Sequence, residues 1–213
     1  MTKPPRRLYY MPGTCALAVH VALEWVGKPY EAINQPRDQL RSQDYLAINP
    51  LGVVPTLIQD GVVLVEAGAI LLTLTDLEPD AALGPLVGHK DRAEFYRWIA
   101  FLSGTLHPHF WPWFSAARYA EPEEMHDAVR RAAALRVEGD FTMINEHLAT
   151  RRWLVGETRT AADTLLLPMA RWGLRLPKPT TAWPHLIAHF ERISADPGVQ
   201  AAMKAQGLLN SSG

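Results

Sequence analysis

The stretch GVVPTLIQDGVVLVEAGAIL, residues 52–71, carries three structural signals in a row. Two β-rich runs flank Asp60-Gly61, and that dipeptide between apolar strands predicts a two-residue hairpin. From Glu66 the pattern becomes EAGAILLTLTDL, which reads as a buried helix to about Leu77. Pro55 interrupts the first strand. It removes one ladder N–H, so it suits an edge, a bulge or a cis bond, and it keeps Val54 extended. Two uses of that strand are open: a plain edge, or a backbone at Val54 that pairs with a peptide-like ligand as an added strand does. Glu66-Ala67 is open in the same way. It is a solvated helix start, or a carboxylate beside free helix N–H groups, which together hold a zwitterion.

Upstream, RLYYM is short, β-prone and stopped by Pro12-Gly13. From Cys15 to Val26 the pattern is helical, with Leu17, Val21 and Trp25 four apart. Gly27 followed by Lys28-Pro29 is a stop signal. PYEAIN reads as a second strand, and QLRSQDYLAIN as a short helix ending at Pro50. The order is β-α-β-α-β-β-α.

Downstream, PDAALGPLVG (79–88) has linker composition, and every later signal is helical. DRAEFYRWIAFLSGTLH presents one apolar stripe, and an amphipathic helix follows over Pro122–Leu148. Another helix opens at Thr160, with Asp163 placed to complete a capping box, and runs on through a kink expected at Pro168. WPHLIAHFERISA and PGVQAAMKAQGL supply two more. The chain therefore reads as an α/β domain over residues 1–80, a linker over 81–88 and an all-helical domain over 89–213.

Composition bounds the function. The 213 residues are 48% hydrophobic and 20% charged, with a net charge of −1, which gives no basic footprint for nucleic acid. No apolar run reaches membrane-spanning length, and the basic N-terminus MTKPPRR is not followed by a signal core. A single cysteine allows no internal disulfide, so nothing points to secretion and a cytoplasmic protein is expected.

That cysteine, Cys15, stands where the first helix begins. A helix N-terminus favours a thiolate, so a lowered pKa is expected. A small buried hydrophobe is an equal alternative. The run Cys15-Ala16-Leu17-Ala18 lacks the second thiol of a Cys-x-x-Cys motif, so a dithiol reductase is not expected. His107-x-His109 and His185/His189 have no acid or cysteine to complete a metal set, so no metal is expected.

LYYMPGTCALAVHVAL, DYLAINPLGVVPTL, LVEAGAIL and WLVGETRTAADTLLLP together resemble the glutathione S-transferases, most closely the bacterial beta class. The resemblance implies a thioredoxin-like N-terminal domain (βαβαββα), an all-α C-terminal domain, a homodimer and glutathione as cosubstrate. It implies that Val54 pairs its backbone with glutathione, that Pro55 is cis, and that Glu66 and Ala67 hold the γ-glutamyl end. Cys15 matches the cysteine beside the glutathione sulfur, and His107 a histidine near it. Thr160 and Asp163 match a structural capping pair. Phe110, Trp111, Trp113 and Phe114 fall in the region bordering the electrophile pocket; an aromatic core plug at a helix kink is the other reading, and the two can hold together. Two positions depart from the pattern: Pro108 stands for a lysine and Ala100 for an asparagine, and each removes a polar contact. Ala100, Ser103, Gly104 and His107 share one helix face in regular spacing, as a ligand cleft or as close packing between subunits.

The activity implied is conjugation of glutathione to apolar electrophiles. The alternatives are a thiol transferase using Cys15, or a non-catalytic protein that binds glutathione or a hydrophobe.

Overall fold

The computed structural model describes residues 6–209; the ends of the two expected domains, 1–5 with most of the basic N-terminus and 210–213, lie outside them. Strand β1 (Arg6–Tyr10) leads into α1 (Ala16–Val26), β2 (Tyr30–Asn34), the short α2 (Gln43–Ile48), β3 (Thr56–Gln59), β4 (Val62–Val65) and α3 (Ala67–Leu77). The sheet order is β2-β1-β3-β4. β1 and β2 are parallel; β1–β3 and β3–β4 are antiparallel. This is the thioredoxin-like order expected. Gln59 pairs with Val62 across Asp60-Gly61, and both turn residues have positive φ (54° and 79°). That backbone is what a two-residue turn between twisted strands requires. Gly27 ends α1 in the left-handed region, φ 67°.

The second half is helical: α4 (Arg92–Phe101), α5 (His107–Phe114), α6 (His126–Leu148), α7 (Ala161–Gly173), α8 (Pro184–Ser194) and α9 (Pro197–Ala205). Between α4 and α5, Leu102–Leu106 forms a π turn instead of the regular helix expected there. Pro108 has no N–H to return to Gly104, so one bond of the regular ladder is missing where this turn meets α5. α6 starts at His126, after a 3₁₀ turn over Glu123–Met125, where the expected helix began at Pro122. α7 runs through Pro168.

The capping box at α7 is present. Asp163 is fully buried and its carboxylate is saturated: it accepts from Thr160 N (2.7 Å), Thr160 Oγ1 (3.0 Å), Leu154 N (3.0 Å) and His189 Nε2 (2.8 Å). A buried carboxylate is tolerated only with such partners. The expected linker is pinned at two points. Ala161 N donates to Leu83 O (2.6 Å), and Arg92 Nη1 donates to Pro85 O (2.5 Å). One contiguous core runs from Leu8 and Leu57 of the sheet through α1 and α3 to Trp98, Phe110, Phe141 and Leu165. The two halves therefore share their apolar interior, and the residues at their junction are held by both.

Candidate functional site

Cys15 immediately precedes α1 and already has helical backbone angles. The turn before it is tied from the second half of the chain. Gly13 N donates to Gln206 Oε1 (3.1 Å), and Trp172 Nε1 donates to Gly13 O (2.7 Å). Cys15 is 8% exposed, and its Sγ lies 3.8 Å from Val54 O. Burial pushes the Cys15 thiol up to about 12, and the negative charge of Glu66 adds to this; the backbone N–H groups of Cys15 and Ala16 act the other way. The expected lowering is thus corrected. The helix-start effect is present, but desolvation of the charged form outweighs it.

Val54 lies just before β3, outside its registered pairs. The Val54–Pro55 bond is cis, as expected. The loop is braced from below by residues that the sequence reading did not single out. Asn49 Nδ2 donates to Val53 O (2.8 Å) and to Thr56 Oγ1 (2.9 Å), and Tyr45 OH donates to Val53 O (2.7 Å). Gly52 has φ 59°, and a Cβ there would lie 2.7 Å from Leu40 O, so only glycine fits. The spacing Asn49-Pro-x-Gly-x-Val-Pro is therefore a loop scaffold that sets the Val54 backbone beside the Cys15 thiol.

Glu66 opens α3 with φ 67° and no side-chain cap. A non-glycine residue in that region costs about 1–3 kcal/mol and persists where the surroundings fix it, often at ligand clamps. Glu66 also lines a groove of ≈ 330 Å³ between α3 and α4, with Leu72, Tyr96, Ala100 and Ser103. Gly68 sits at the floor, where a Cβ would come 3.1 Å from Ser103 Oγ.

The helix face expected to carry Ala100, Ser103, Gly104 and His107 together is split by the π turn. Ala100 and Ser103 line the groove with Glu66. Gly104 is exposed with open space at its Cβ position. His107, whose N–H closes the π turn on Leu102 O, packs against Trp172 (ring centroids 5.3 Å) and Trp111 (5.8 Å). Burial pushes the His107 imidazole down to about 4, so it is neutral at physiological pH.

A profile for the glutathione S-transferase N-terminal domain matches residues 8–82, and one for the C-terminal domain of the same family matches 101–197. The chain belongs to the glutathione S-transferase family. It is 37% identical to glutathione S-transferase GST-4.5 of Xanthomonas campestris pv. campestris over 95% of this chain and 99% of the relative. Among solved structures, a sphingomonad glutathione S-transferase complexed with glutathione superposes with a TM-score of 0.86 at 34% identity, covering 95% of this chain and 99% of that one. The bacterial beta class enzyme of Sphingomonas chungbukensis superposes equally well, 0.86 at 32% identity, with 95% and 100% covered.

In this transferase the four aromatic residues of α5 divide by helix position. Trp111 and Phe114 follow His107 by four and seven and share its side; they are 39% and 50% exposed. Phe114 also meets the Trp172 ring edge-on at 5.6 Å. Phe110 is fully buried against Phe141 and Trp172, so it is a core plug and offers no face to a ligand. Trp113, six residues on, falls to the side of the helix and packs on the core. Trp172 is missing from the sequence-derived set. Nothing local marks it, because its importance comes from partners 159 and 65 residues away. Among the described residues no group of three or more His, Cys, Asp or Glu side chains is arranged to hold a metal, and no helix is long and apolar enough to cross a membrane.

Proposed function

We propose that glutathione lies across the Val54 loop and the α3 N-terminus, and that its sulfur attacks an apolar electrophile held on Trp111, Phe114 and Trp172. Val54 offers main-chain hydrogen bonds to the cysteinyl part. Glu66 and the first N–H groups of α3, at Ala67, take the ammonium and carboxylate of the γ-glutamyl end. The observation that carries this reading is the meeting of three separate elements: Cys15 at the start of α1 lies within 3.8 Å of Val54 O and within electrostatic range of Glu66.

The same observation favours conjugation over thiol transfer. Thiol transfer needs a Cys15 thiolate as the covalent nucleophile. A thiol held near 12 is protonated at neutral pH. As S–H it can donate a weak hydrogen bond to the glutathione sulfur without repelling its charge. His107, held neutral by its burial, can donate a ring N–H hydrogen bond to the glutathione sulfur. Residues 1–80 then carry glutathione, 81–88 connect, and 89–213 supply the electrophile shelf. The family likeness and the apolar groove between α3 and α4 support a homodimer through that face, in a cytoplasmic setting.

The test is a comparison of an aryl halide with a glutathionylated disulfide as substrates. Turnover of the aryl halide that survives Cys15→Ala supports conjugation. Turnover confined to the disulfide, and abolished by Cys15→Ala, refutes it.

A further inference from the structure

We propose that a second cleft, remote from the glutathione site, binds a small multivalent anion. It has a volume of ≈ 570 Å³ and is lined by Arg152, Trp153, Thr158, Arg159, Arg192 and Asp196. It shares no residue with the Val54 loop, the α3 N-terminus or the α5 shelf.

Three guanidinium groups face it, and each is held against an indole. Arg152 and Arg192 lie 5.9 and 5.7 Å from the Trp153 ring centroid, and Arg159 lies 3.8 Å from that of Trp25. A guanidinium set against an aromatic ring has lost much of its rotamer freedom before any ligand arrives, and its N–H edges remain available for forked contact with carboxylate or phosphate oxygens. Arg192 Nη1 also donates to Arg152 O (2.7 Å), which fixes these two residues relative to each other.

The local charge is not balanced. Arg159 pairs with Asp196 (3.0 Å), and Asp196 is already occupied by Trp25 Nε1 (2.8 Å) and Gly198 N (2.9 Å). Among the described residues no carboxylate lies within 4.0 Å of Arg152 or Arg192. The other acid of the lining, Glu157, is exposed and pairs with none of the three arginines within that distance. Two unpaired, aromatic-braced arginines in an open cleft of this size suit a ligand carrying two or more negative charges. Phosphate and carboxylate share that chemistry.

Calorimetry at low salt with inorganic pyrophosphate and, separately, citrate tests the site on the full chain. At least one probe is expected to bind, with affinity falling as sodium chloride is added. Arg152→Ala is expected to weaken it about tenfold or more through loss of a charge-assisted contact. Arg192→Lys is expected to weaken it less, since it keeps the charge and loses the fork. Glu157→Gln is expected to tighten it. Glutathione conjugation is unchanged in all three. Binding of pyrophosphate alone assigns a phosphate ligand, and binding of citrate alone a carboxylate. No heat with either probe at millimolar concentration overturns the proposal, as does equal affinity in wild type and Arg152→Ala.

Discussion

The indole N–H of Trp172 donates to the carbonyl of Gly13 across 2.7 Å, joining α7 to the turn that presents Cys15. The same ring packs on His107 at 5.3 Å. One side chain of the helical half therefore positions both groups nearest the proposed reacting sulfur. Trp172→Phe keeps a smaller aromatic surface and loses the hydrogen bond, worth about 1 kcal/mol. The expected outcome is a roughly fivefold fall in kcat/KM with the fold intact. Trp172→Ala also removes the wall and should cost considerably more. Steady-state kinetics of both variants check this, and equal losses in the two would mean that the hydrogen bond, not the wall, matters.

Glu66 carries the proposed γ-glutamyl contact. Glu66→Ala removes a charge-assisted hydrogen bond and is expected to weaken glutathione by about 1.5–3 kcal/mol, or roughly 10- to 150-fold. Glu66→Gln should recover part of this. Calorimetric titration with glutathione measures it directly, and unchanged affinity in Glu66→Ala would remove the assignment.

Cys15 is expected to resist modification in the native protein. A thiol near 12 is almost entirely protonated at pH 7.5, and this one is also buried. Iodoacetamide should label it quickly only after unfolding, and oxidised glutathione should leave no adduct by mass spectrometry. Cys15→Ala should retain conjugation within about threefold. A rapid native adduct would show an accessible thiolate and restore the thiol-transferase reading.

What the sequence made legible was local. Asp60-Gly61, Gly27 and the Thr160–Asp163 pair each act over a few residues, so the hairpin, the end of α1 and the start of α7 could be read from spacing. The cis bond at Val54–Pro55 was legible through the family resemblance, the chemistry of the strand leaving alternatives open. Tertiary effects were not legible. The thiolate-favouring helix start at Cys15 is visible in the chain, but the burial that overrides it comes from packing. Gln206 and Trp172 reach Gly13 across 193 and 159 residues, and no spacing rule connects them. The three-and-four spacing of Ala100, Ser103, Gly104 and His107 assumes a regular helix, and the π turn at Leu102–Leu106 divides that face.

His107 gives the last prediction, because its burial has consequences both for rate and for stability. Its imidazole is held at about 4 in the folded chain, against an ordinary value of 6.5. Between these two values the unfolded chain binds a proton that the folded chain does not. Stability from this group is therefore full above pH 6.5 and is lost as pH falls towards 4, by about 3 kcal/mol in all. Denaturant unfolding at pH 7.5 and pH 5 should show the loss in wild type, and His107→Gln, which cannot titrate, should show a smaller one. The rate follows the same ionisation. Neutral His107 persists down to about pH 5, so it imposes no fall in conjugation between pH 8 and pH 5 beyond that of the glutathione thiol itself. His107→Gln keeps an N–H donor and loses the basic nitrogen; His107→Ala loses both. If His107 acts as a donor, the Gln variant retains most of the activity lost in His107→Ala. If it acts as a base, the two variants are equally impaired. In either case His107→Ala should cost more conjugation than Cys15→Ala. The opposite order would transfer activation of the sulfur to Cys15, in spite of its buried, protonated thiol.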